Sequence, residues 1–268
     1  SLHAEASGLL ARARAVEAAA REVIPHAERE PVELALVQVE AELHANRGEW
    51  EDAVRALVEL GRRCRQAGRL PEADEAEVLQ GTTLRRLGRG FEGEELIREV
   101  LVRARKRHDR RVELRALHAL AGMAWSEGDL DGCERLASQA LVGAVGPEMA
   151  EGRAGILLAL TAVQASKGQL ALAVTGLSEA EELLRGLREK KTRASVLCNL
   201  SEVLSWKGDL VAAEARAEEA RVLARGVVYQ VVEASALRCR ALARLELGDL
   251  EGAQVDLDAA LAIETRYF

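Results

Sequence analysis

The stretch "MAWSEGDLDGCERLA" at residues 123–137 returns as "VLSWKGDLVAAEARA" at 203–217, with a tryptophan, a glycine, an aspartate, a leucine and a small residue in the same order. Working outward from that pair, a glycine stands at Gly48, Gly88, Gly128, Gly168, Gly208 and Gly248, an unbroken spacing of forty. A period of this length marks a solenoid, in which each unit buries its apolar face against its neighbours. Five residues after each glycine comes a small residue (Ala53, Gly93, Cys133, Ala173, Ala213, Ala253), and seven before it another (Ala41, Gly81, Ala121, Thr161, Ser201, Ala241). Small residues at fixed places on two helices let the helix axes approach closely. Each unit therefore reads as a packed helical pair.

The register also supplies the ends of those helices. Two residues past the glycine stand Trp50, Gly90, Leu130, Leu170, Leu210 and Leu250, mostly large and apolar, which anchor the second helix; this reading puts Trp50 in the core. Eleven before it stand Val37, Glu77, Leu117, Leu157, Leu197 and Leu237. The glycine suits the left-handed residue that ends a helix, and Asp129, Asp209 and Asp249 suit the N-cap of the next. Pro31 and Pro71, each seventeen before a glycine, are expected in the first turn of a first helix, where a missing N–H costs nothing. Extended backwards, the period makes Gly8, Leu10, Ala13 and Ala20 part of a second helix whose partner is absent, so the chain is expected to begin in mid-repeat and to be a piece of a longer protein.

With these residues in place, the chain resembles the tetratricopeptide repeat (TPR) family, whose signature runs small residue, Gly-x-aromatic/Leu-x-x-Ala, then a later alanine, here Ala140, Ala180, Ala220 and Ala260. The resemblance covers nearly the whole chain. It implies an all-α fold, a right-handed α–α superhelix (solenoid) of about six TPR-like hairpins plus an N-terminal half repeat, in one domain over 1–268. Residues 1–24 would hold the half repeat, and the repeats would run approximately 31–70, 71–110, 111–150, 151–190, 191–230 and 231–268. The commonest repeat of the family is six residues shorter; repeats of this length are similar to those in the C-terminal superhelix of bacterial signal-transduction ATPases and transcription activators. The second repeat fits least well, with Glu77 and Gln80 at usually apolar positions.

Composition narrows the function. No window of the length a transmembrane helix needs is uninterruptedly apolar, and no basic-flanked apolar run reads as a secretion signal, so a cytoplasmic protein is expected. A net charge of -7 disfavours direct nucleic-acid binding by this domain. No catalytic motif and no cofactor-binding motif occurs, the five histidines are scattered, and the four cysteines lie far apart without CxxC spacing. We therefore expect no enzyme, no cofactor and no metal, with the cysteines acting as small buried hydrophobes. The cationic run "RARKRHDRR" at 103–111 reads as a helix end meeting the negative end of the dipole rather than as an anion site.

The resemblance implies that first helices line the concave face, where a partner binds. Residues ten before each glycine then include His118, Cys198 and Arg238; three before, Arg85 and Trp125; two before, Arg86 and Trp206. Arg115 shares a helical face with His118, and Asn199 and Glu202 lie farther along. The candidate ligand- or partner-binding set is thus Arg85, Arg86, Arg115, His118, Trp125, Asn199, Glu202, Trp206 and Arg238. The two tryptophans admit two readings, folded over the turn or exposed as recognition anchors. The asparagine clamp of chaperone-tail binders needs asparagine six before the glycine, where this chain has Glu42, Thr82, Gly122, Ala162, Glu202 and Leu242. The expected function is a protein-interaction or sensor module of a bacterial multidomain regulator, binding a peptide, a protein segment or an effector. The alternatives are a free-standing scaffold and a small-molecule receptor domain. The apolar residues of the last helix (Val255, Leu257, Leu261, Ile263, Tyr267, Phe268) are expected to cover themselves against another domain or, as a homodimer, another copy.

Overall fold

The structure is a computed structural model describing residues 2–20 and 26–267. Among the described residues all regular structure is helical, and no helix is long and apolar enough to cross a membrane. The chain divides into two compact units, 1–127 and 128–268. The first contains α1 (Leu2–Ala20), α2 (His26–Asn46), α3 (Trp50–Gln66), α4 (Leu70–Arg86), α5 (Gly90–Arg107) and α6 (Arg110–Glu127). The second contains α7 (Leu130–Gly143), a short 3-10 turn at Pro147–Met149, α8 (Ala150–Ser166), α9 (Leu170–Leu184), α10 (Lys190–Lys207), α11 (Leu210–Gly226), α12 (Gln230–Leu247) and α13 (Leu250–Tyr267). Within each unit every helix packs on the next in sequence, and alternate first helices also touch: α4 on α6, α8 on α10, α10 on α12.

The forty-residue register sets this packing. All six register glycines are left-handed, with φ from +74° to +89°, and each closes a first helix. All twelve small residues of the two series are buried. α4 and α5 approach so closely that a Cβ on Gly93 would lie 2.3 Å from the Gly81 carbonyl oxygen. Only glycine at both positions lets the two backbones touch in this way. Between α10 and α11 the same positions are Ser201 and Ala213, and the Ser201 hydroxyl donates to the Ala213 carbonyl at 2.8 Å.

Position eleven before the glycine is buried in every repeat, including Glu77. Its carboxylate, with that of Asp74, is neutralised by arginines from two neighbouring helices: Arg65 of α3 and Arg103 of α5 reach Glu77, while Arg103 and Arg107 reach Asp74. The misfit repeat is thus held by a partly buried ionic layer in place of a leucine. The "RARKRHDRR" run is spent on such pairs, since Arg105 and Arg110 bind Glu113 and Arg111 binds Glu75. The second unit has two layers of the same kind: Glu181 with Arg185 and Arg193, and Asp256 with Arg240 and Arg244.

Three expectations need adjustment. Pro71 lies in the first turn of α4, but Pro31 lies inside α2, which starts at His26; the missing N–H falls a turn and a half in and removes one intrahelical bond. Asp129 and Asp249 cap their helices by accepting from the Gly132 and Gly252 amides, whereas Asp209, equally placed, makes no such bond. The capping carboxylates occupy the space a Cβ would take at Gly132 and Gly252, and the equivalent Ala212 denies Asp209 that rotamer. Trp50 is half-buried rather than core, with the Arg86 guanidinium 5.9 Å from its ring. Residues 21–25 and the side chains of Ala20, Tyr267 and Phe268 lie outside what is described here.

Turns between repeats are less uniform. Gly68, His108 and Val228 are equivalent, and all have positive φ (73°, 57° and 56°). A β-branched residue there is strained by contact between its Cβ and the backbone.

Candidate functional site

In the first unit, α4 and α6 flank a cavity of about 330 Å³. Its floor is hydrocarbon, from Val78, Leu79, Ala119 and Met123, and its polar groups are Glu75, Thr82, Arg85, Arg115 and His118. A second hollow of about 450 Å³, extending to α2 and α3, shares Glu75, Leu79 and Arg115 with the first, so the two form one groove. The helical repeat places these residues: positions 75, 78, 79, 82 and 85 follow one another at three- and four-residue steps along a single face of α4, and 115, 118, 119 and 122 do so on α6.

The charges in the groove are unevenly matched. Glu75 binds Arg111 at 2.8 Å and lies 3.6 Å from Arg115, which accounts for the cationic side of α6. Arg85 differs, because among the described residues its guanidinium has no acidic or hydrogen-bonding side-chain partner. Burial lowers the pKa of His118, and the neighbouring Arg115 charge lowers it further. The imidazole is therefore neutral near pH 7 and acts as a hydrogen-bonding group, not a cation. Gly122 opens the groove: a Cβ built there meets nothing within 4 Å.

Of the sequence-derived candidates the groove gathers Arg85, Arg115 and His118. Arg86 points instead to Trp50. Trp125 and Trp206 are both exposed, at 40% and 56%, and neither lines the groove. In the second unit Asn199, Glu202 and Trp206 fall on one face of α10 by spacing. Arg238 on α12 is tied to Glu264 and to the Ser235 hydroxyl, which leaves it less available than Arg85. Sequence reasoning missed Glu75, Leu79, Thr82, Met123 and Arg111 as groove residues. Stepping by three or four along α4 from Arg85 and Arg86 reaches Thr82, then Leu79, then Glu75, and one such step along α6 from Arg115 and His118 reaches Arg111 and Gly122.

Two further clusters lie outside the groove. His44, Glu49 and Asp52 bring their ligand atoms within 4.8 Å of one another, but His44 and Glu49 are bonded to each other at 2.6 Å, and Arg55 takes Asp52. In the second unit the Cys198 and Cys239 sulfurs are 4.0 Å apart.

No family model matches the chain, and no curated protein matches it in sequence. Solved structures do match. The apo form of RapI aligns with 99% of this chain and 77% of its own at 11% identity, with a TM-score of 0.62. BtubC (BKLC) from P. vanneervenii covers 98% of this chain and 90% of its own at 18% identity and a TM-score of 0.58. A putative kinesin light chain from Podosopora anserina with nearly identical TPR-like repeats covers 73% and 97% at 17% identity and a TM-score of 0.58. These likenesses, with the all-helical register above, define the class: an α-helical repeat protein. Its fold is that of the TPR-like repeats.

Proposed function

We propose that this protein is a non-catalytic interaction module whose binding site is the groove between α4 and α6, and that its ligand is a peptide or protein segment presenting an acidic group beside an apolar side chain. The observation that carries this reading is the pairing of an unneutralised Arg85 with an open hydrocarbon floor. An acidic group meeting Arg85 gains a charge-assisted hydrogen bond, and an adjoining apolar side chain gains burial on Val78, Leu79 and Met123. One solved neighbour by fold is a Rap protein complexed with Competence and Sporulation Factor, at 15% identity and a TM-score of 0.54. A role as the sensor domain of a cytoplasmic bacterial regulator fits both this reading and the long repeats.

The test selects peptides from a displayed library on the full chain and titrates them against Gly122→Leu and Arg85→Ala. Gly122→Leu adds a Cβ that meets nothing within 4 Å, projects side chain into the groove and removes a helix-breaking residue, and circular dichroism checks that the fold is kept. Each variant is expected to weaken binding by about tenfold or more, equivalent to about 1.4 kcal/mol. Peptides that bind the wild type and both variants equally, or a library that yields no binder, would sink the proposal.

Self-association has its own support. Leu250, Leu257 and Leu261 are exposed and lie on one stripe of α13, spaced by seven and four. We infer a homodimer through this stripe. Light scattering should report two chains for the wild type and one for Leu257→Glu; a monomeric wild type at high concentration removes the dimer.

A further inference from the structure

The groove makes no use of Cys198 and Cys239, yet the fold has brought them together. They stand on α10 and α12, the first helices of consecutive repeats, and helix packing fixes their separation at 4.0 Å between sulfurs. Cys198 is 6% exposed within an apolar cluster of Ala194, Leu197, Ala220, Val232 and Ala236, while Cys239 is half-buried at its edge. The two thiols are thus unequal in access. No third metal-ligating group joins them among the described residues, so the pair does not make a zinc site.

We propose that Cys198 and Cys239 form a thiol–disulfide exchange site, with Cys239 the attacking thiol, Cys198 the resolving thiol, and low-molecular-weight disulfides of the glutathione type the reactant. The Cys239 thiolate attacks one sulfur of the small disulfide. The S–S bond breaks, one small thiolate leaves and takes up a proton, and a mixed disulfide remains on Cys239. Cys198 then gives up its proton to solvent and attacks the Cys239 sulfur, which expels the second small thiol. Two protein thiols are oxidised by two electrons and one small disulfide is reduced to two thiols. Both the dithiol and the disulfide are neutral, so closing the bond in this apolar cluster carries no cost of burying charge. The sulfurs must come from 4.0 Å to about 2 Å, the S–S bond length, so they already stand at contact distance before the bond closes. The contact between the two thiols lowers the Cys239 pKa, while the same contact and then burial raise that of Cys198; the order of attack rests on the greater exposure of Cys239.

The experiment incubates the reduced full chain with oxidised glutathione and reads intact mass and disulfide-linked peptides. The wild type is expected to lose two hydrogens through a Cys198–Cys239 link, with Cys64 and Cys133 still thiols. Cys198→Ala should stop at one glutathione on Cys239, and Cys239→Ala should take up none. If the link maps to other cysteines, if Cys198→Ala gains no glutathione, or if both thiols stay reduced under oxidised glutathione, the proposal is overturned.

Discussion

The α4–α5 pair of the first unit and the α10–α11 pair of the second occupy the same register and solve the same packing problem with different chemistry. In α4–α5 the contact positions are Gly81 and Gly93, backbone meets backbone, and the position eleven before the turn glycine is Glu77, paired with arginines. In α10–α11 the contact positions are Ser201 and Ala213, a hydroxyl bridges the helices, and the equivalent position is Leu197. The register thus prescribes size and closeness, not polarity. A charge is admitted where arginines from both flanking helices reach it.

The sharpest way to break the comparison is to exchange the contact residues. Gly93→Ala puts a methyl 2.3 Å from a backbone oxygen that cannot swing away, and should cost about 3 kcal/mol or more in chemical denaturation. Ala213→Gly should cost only about 1 kcal/mol, chiefly in helix propensity. Equal losses would mean that α4 and α5 are no closer than α10 and α11.

Next in size are the residues eleven before each glycine. Leu197→Ala empties a fully buried site and should cost about 3 kcal/mol. Glu77→Ala takes one acceptor from Arg65 and Arg103, but both keep Asp74 within reach and are more than a third exposed (40% and 34%), so the loss should be nearer about 1–2 kcal/mol. A larger loss for Glu77 than for Leu197 in the same denaturation series would make the ionic layer the stronger element.

How much of this was legible in the sequence follows from the same residues. Helix ends, turn glycines and buried small positions recur at one spacing, so a single chain displays them. The burial of Glu77 does not, because its arginine partners lie twelve residues before it and twenty-six after it on other helices, and no local period joins them. The groove was half legible: Arg85, Arg115 and His118 follow from the concave offsets. Arg111 and Glu75 enter through an ion pair across two helices, which only three-dimensional packing reveals. The Cys198–Cys239 approach was hidden because Cys239 stands one residue out of step with Cys198 in the register.

Smaller effects sharpen the contrast between turns. Val228 is strained at φ 56° and 52% exposed, whereas the equivalent Gly68 is relaxed at 73°. Val228→Gly should therefore stabilise by about 1 kcal/mol, the gain in backbone strain outweighing glycine's unfolded-state entropy, and Gly68→Val should do the reverse. Thermal melts of the two variants check the sign.

The last effect is that of pH on the first unit. The His118 pKa is lowered in the folded chain, mainly by burial, so the unfolded chain takes up the proton first. Stability from this group is complete above the unfolded value of about 6.5 and falls as pH drops below it toward the folded value. His118→Gln should flatten that segment of the pH–stability curve; an unchanged slope would place the titration elsewhere.

Arg85 carries one more consequence. A positive charge left uncompensated above a hydrocarbon floor draws an anionic partner from a distance, but only within the screening length of the medium, about 8 Å at physiological ionic strength. Added salt should therefore slow the arrival of an acidic segment far more than it shortens its stay, since the apolar contacts that retain it do not feel the counter-ions.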